Sequence, residues 1–91
     1  MTKIKEKSKH DEMRSHIQDA YAILDEHLPD QYVQEVQKKL PINSGITAGI
    51  IRNIRNNSSR VTDNKLFVLT ALVEVAKENK EIKENFISTL Q

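Results

Sequence analysis

The chain has no cysteine and no tryptophan, and its 91 residues include only two glycines, two prolines and four aromatic side chains. Without cysteine there is no disulfide framework, no thiolate zinc site and no cysteine nucleophile, an economy that points to a reducing cytoplasm. Two glycines cannot build a glycine-rich phosphate loop, and no Gly-x-Ser-x-Gly elbow is present. The three histidines, His10, His16 and His27, put no pair one helical turn apart and have no ligand cluster around them, so no metal is expected. Long apolar runs are also missing, which excludes a membrane span, and Met1–Lys9 carries no apolar stretch of the kind a secretory signal needs. A chain this short, without these motifs, is expected to be a non-enzyme with no cofactor and no small-molecule substrate.

What is present is helical periodicity. With 37% hydrophobic and 30% charged residues the composition is that of one small globular domain. Residues 1–9 offer only Ile4 for burial and are expected to form a flexible basic arm; residues 10–91 form the helical domain. From about Asp11 to Leu28, the apolar positions Met13, Ile17, Ala20, Ile23, Leu24 and Leu28 recur at three- and four-residue intervals, the mark of one helix face. Pro29 interrupts this helix, and Asp30 is expected to cap a second helix ending near Leu40, before Pro41. Thr47 is placed to cap a third helix reaching Asn56, whose stripe is Ile50, Ile51 and Ile54. Asn56 to Ser59 reads as a loop. A long last helix begins at about residue 64, with Leu66, Leu69, Leu72, Val73 and Ala76 on its core face and Phe67, Val68 and Val75 widening it. Beyond Lys77, Ile82, Phe86, Ile87 and Leu90 are compatible with an extension of that helix. The fold class is therefore all-α: a single-domain bundle of four to five helices.

The net charge of +1 hides an uneven distribution. No Asp or Glu occurs between Val36 and Thr62, where Lys38, Lys39, Arg52, Arg55 and Arg60 contribute +5; the rest of the chain carries −4. An acid-free basic window in an otherwise acidic chain suits a polyanion such as a phosphate backbone. A basic surface without a partner is the alternative.

The stretch from Gly45 through Ile46, Thr47, Ala48 and Gly49 to Ile50, Ile51, Arg52, Asn53, Ile54, Arg55 and Asn56 resembles the turn and recognition helix of repressor-type helix-turn-helix DNA-binding proteins, the family of small bacterial and phage transcriptional regulators. Gly45, Ile46, Thr47, Ile51 and Ile54 occupy the turn, capping and seating places of that pattern, and Val36 and Leu40 the apolar places of the helix before. The run Val68-Leu69-Thr70-Ala71-Leu72 is similar to the packing helix that follows. The likeness covers about residues 31–78, with the helix-turn-helix at about 31–56. Two features depart from it: Pro41-Ile42-Asn43-Ser44 is a four-residue insertion in a normally tight turn, and Gln37 replaces a small residue expected at the helix crossing.

The resemblance implies double-stranded DNA as the partner. Ala48 and Gly49 would give clearance in the major groove, and Arg52, Asn53 and Asn56 would read bases, since Arg pairs with guanine and Asn with adenine in bidentate fashion. Thr47, Lys38, Lys39, Arg55 and Arg60 would contact phosphates. For Arg52 and Asn53 the alternative is a solvated helix face. For Gly49, which costs roughly 1 kcal/mol relative to Ala within a helix, it is close packing on a neighbour. A homodimer through helix 1 or the C-terminal helix would set two recognition helices about 34 Å apart, one DNA turn. The competing reading is a helical protein–protein interaction module without DNA binding, either a phage structural or adaptor component or an antitoxin-like subunit. Single-stranded nucleic acid is disfavoured because the aromatics are expected on apolar faces.

Overall fold

A computed structural model describes residues 9–91, with side chains from Glu12 onward. Apart from Lys9, the basic arm lies outside the described residues. Lys9 itself begins the first helix. Four α-helices follow in order: α1 (Lys9–His27), α2 (Tyr32–Lys39), α3 (Ala48–Asn56) and α4 (Leu66–Leu90). Short 3-10 turns at Ser58–Arg60 and Asp63–Lys65 join α3 to α4, and no strand occurs among the described residues. The protein is a small all-α domain.

Each helix boundary follows from local chemistry. α1 closes with the Leu28 amide donating to the Leu24 carbonyl at 3.0 Å, just before Pro29. The expectation that Asp30 caps α2 fails: Gln31 occupies the capping position without a side-chain hydrogen bond, and α2 begins one residue later, at Tyr32. Thr47 does cap α3, its Oγ1 accepting from the Ile50 amide at 3.2 Å. The stretch Asn56–Ser59 is more ordered than a loop. Asn57 Oδ1 accepts from both the Ser59 amide (3.0 Å) and the Ser59 hydroxyl (2.7 Å), which winds Ser58–Arg60 into a turn.

α4 is the axis on which the others pack. α1 lies along it, with Met13 and Ile17 near Leu66 and Val73 at one end, while at the other Asn79 Nδ2 donates to the His27 carbonyl at 2.7 Å. α2 and α3 contact each other and α4. The core comprises Leu24 of α1, Val36 of α2, Ile51 and Ile54 of α3, and Val68, Leu69, Ala71, Leu72, Val75 and Ala76 of α4. Each large aliphatic side chain so removed from water contributes roughly 1.5–3 kcal/mol.

Several apolar assignments need correction. Leu66 and Val73 are only half-buried, and Ala71 takes a core place that the periodicity did not single out. Phe67 is 41% exposed, because it falls just past the edge of the arc defined by Val68, Ala71 and Val75. Phe86 is exposed as well, since α4 continues as one helix to Leu90 beyond the reach of any other element among the described residues.

Candidate nucleic-acid interface

α3 is held by its apolar side. Ile51 and Ile54 are fully buried and Ile50 half-buried, which fixes the helix against α2 and α4 and decides what its other side presents. Gly49, Arg52, Asn53 and Asn56, at spacings of three, one and three, share one face, and all four are exposed. Ala48 is half-buried at the first helical position. A methyl group built on Gly49 meets nothing closer than Thr47 Oγ1 at 3.7 Å, an ordinary contact. Gly49 is therefore not required by packing on a neighbouring helix.

The turn before α3 is shaped by the inserted residues. The Ser44 amide donates to the Pro41 carbonyl at 3.1 Å, and the Ile46 amide donates to Ser44 Oγ at 3.3 Å. Gly45 then adopts φ +75°, a left-handed conformation in which a Cβ would be strained. Gln37 is exposed, so it does not obstruct the helix crossing, while the adjacent Val36 is fully buried. Together the end of α2 and the insertion line a concavity of about 500 Å³ that reaches Thr47 and leaves Ile42 fully in solvent.

The basic window looks different in three dimensions. Arg55 Nη2 lies 3.0 Å from Asp25 Oδ1 on α1, Lys39 Nζ 2.6 Å from Glu78 Oε2 on α4, and Lys38 Nζ 3.2 Å from Glu35 Oε2 within α2. The hydrogen bond to Glu78 holds the Lys39 ammonium above its usual range. Three of the five expected phosphate contacts are thus matched with carboxylates supplied by other parts of the chain. Among the described residues Arg52 and Arg60 form no ion pair, and both are exposed. Arg60 also borders a hollow of about 270 Å³ with Asn53, Thr62 and Lys65 beside α3.

Sequence reasoning missed Asp25, Glu78 and Tyr21. The Tyr21 hydroxyl donates to the Ile54 carbonyl and ties the end of α3 to α1. Burial pushes its phenol above the ordinary range, against a smaller opposing effect of the Arg55 charge. Only the Glu35–Lys38 pair had a sequence signal, its three-residue helical spacing.

The arrangement offers one guanidinium, two carboxamides and an open glycine on a single rigid helix face, with a second guanidinium at its flank. These groups donate and accept hydrogen bonds in the geometries that base edges and phosphates use. Among the described residues no cluster of His, Asp and Glu suits a metal ion, and no helix is long and apolar enough to cross a membrane. No protein-family model, curated protein or solved structure matches the chain.

Proposed function

We propose that the protein binds double-stranded DNA through α3, as a helix-turn-helix regulator of transcription. The observation that carries this reading is the composition of the one exposed face of α3: Gly49, Arg52, Asn53 and Asn56, with no carboxylate on the helix. In the groove Arg52 and Asn53 read base edges, Gly49 and Ala48 permit close approach, and Asn56 extends readout by one turn. Arg60 and the Thr47 hydroxyl, still free to donate, contact the backbone on either side. Lys38, Lys39 and Arg55 contribute less, because each already holds a carboxylate at short range.

The test is selection from a pool of random duplexes over successive rounds. A shared motif should emerge, and Arg52→Ala or Asn53→Ala should relax its preference at particular positions. A second reading, a helical interaction module without DNA binding, draws on the exposed apolar end of α4. Selection that yields no enriched sequence favours that reading.

A further inference from the structure

The insertion Pro41-Ile42-Asn43-Ser44 has no place in the helix-turn-helix pattern and no part in the core. The Ser44 amide donates to the Pro41 carbonyl at 3.1 Å, so Ile42 and Asn43 are the two central residues of a β-turn. Turn tips favour Gly, Pro, Asn, Asp and Ser; a β-branched apolar side chain supplies no turn chemistry there. Nor does Ile42 gain burial. It is 99% exposed, whereas Ile46, Ile50, Ile51 and Ile54, which follow it in the chain, are half-buried or buried. A local rule broken without benefit to the fold marks a position that function sets.

The tip is held in place on both sides. Pro41 fixes the backbone before it, and after it the Ile46 amide donates to Ser44 Oγ at 3.3 Å while Gly45 takes its left-handed conformation. Ile42 and Thr47 line the same concavity, which sets the tip beside the amino end of α3. That is the end at which Ala48 and Gly49 come closest to base edges in the proposed complex.

We infer that Ile42 is a specificity-determining residue, packing on the C5-methyl group of a thymine in the major groove next to the bases read by α3. The inference rests on the DNA-binding reading of α3 and adds a contact that the exposed face of that helix lacks. Arg52, Asn53 and Asn56 recognise hydrogen-bond donors and acceptors; the thymine methyl is the apolar group that base edges display in this groove, and apolar side chains recognise it. No carboxylate lines the concavity to repel phosphates passing the tip. A single isoleucine between exposed Pro41 and Asn43 is far too small an apolar surface to hold a protein partner, but it matches one methyl contact. Because hydrogen bonds fix the turn before DNA arrives, presenting Ile42 requires little further ordering.

The test uses the duplex obtained by selection, with each thymine replaced in turn by deoxyuridine, which lacks only that methyl group. At one position the wild type should lose about fourfold in affinity, the worth of one buried methyl-sized group. Ile42→Ser should bind the unmodified duplex about fourfold more weakly than the wild type and should not distinguish it from that deoxyuridine duplex. Ile42→Val, which keeps an apolar tip, should still distinguish them. Since Ile42 stands in solvent, the thermal melt of Ile42→Ser should match that of the wild type, which separates a lost contact from lost folding. An Ile42→Ser chain that binds like the wild type, or that stays as sensitive to every deoxyuridine, would overturn the inference, as would a wild type indifferent to all of them. If Arg52→Ala still relaxes the preference in those cases, the reading of α3 stands and only the role of Ile42 falls. If selection enriches no sequence, both fall.

Discussion

The guanidinium of Arg55, on the helix proposed to contact DNA, is held 3.0 Å from the carboxylate of Asp25 on α1. The pair couples α3 to α1 beside the Tyr21–Ile54 hydrogen bond, and it neutralises a charge that linear sequence presents as available. The electrostatic footprint of the α3 face therefore rests on Arg52 and Arg60 rather than on five basic residues.

Removing that carboxylate should strengthen DNA binding. Asp25→Asn frees Arg55 for a phosphate, so non-specific affinity should rise and the slope of log affinity against log salt should steepen by about 0.9. Because Asp25 is exposed, fold stability should change by only about 0.5 kcal/mol. A fluorescence titration at several salt concentrations, beside a urea melt, checks both.

Gly49 separates fold from function. Nothing obstructs a methyl group there, so Gly49→Ala should stabilise α3 by up to about 1 kcal/mol through helix propensity. If the open glycine serves close approach to a base edge, the same substitution should weaken binding to the selected duplex. Thermal melting and anisotropy on one preparation measure the two effects, which are expected to have opposite signs.

Gly45 should behave in the contrary way. Its φ of +75° is unfavourable for any residue with a Cβ, and Gly45→Ala should cost about 1–2 kcal/mol by denaturant melting. The turn between α2 and α3 would bear that strain, so DNA affinity should fall with it.

The Tyr21 phenol gives the fold a pH dependence in the alkaline range. Its pKa is higher in the folded than in the unfolded chain, so the folded state holds the proton more tightly. The stabilisation is therefore complete below the unfolded value of about 10 and is lost as pH rises through the folded one. Tyr21→Phe should cost about 1 kcal/mol at neutral pH, the net worth of a hydrogen bond. In urea melts across this range the gap to wild type should narrow once the phenol ionises.

Much of the scaffold was legible because periodicity reports burial wherever a partner exists. Val36, Ile51, Ile54, Leu69 and Leu72 lie inside as their spacing implies, and Thr47 caps α3 as its position before an apolar run suggests. The same signal misleads where no partner comes. Ile82, Phe86 and Leu90 keep helical spacing on an overhang with nothing beside it among the described residues, and Phe67 falls a few tens of degrees outside the covered arc. Asp30 illustrates the other limit: a good capping residue was displaced by one position because Gln31 took the flanking conformation. The Arg55–Asp25 and Lys39–Glu78 pairs had no local signal at all, since packing alone brings α1 and α4 to the basic window. Of the expected contact residues, Gly49, Arg52, Asn53 and Asn56 do share an exposed face, whereas Lys38, Lys39 and Arg55 are matched with acids.

The most direct test of DNA binding through α3 is fluorescence anisotropy of a random duplex, titrated with wild type and with Arg52→Ala/Arg60→Ala across a salt series. The wild type should bind with a clear negative slope, and the double substitution should weaken binding and lower that slope by about 0.9, for the phosphate neutralisation lost with Arg60. Binding that is absent at low salt, or that persists unchanged in the double variant, would contradict the assignment of α3 as the DNA-contacting helix.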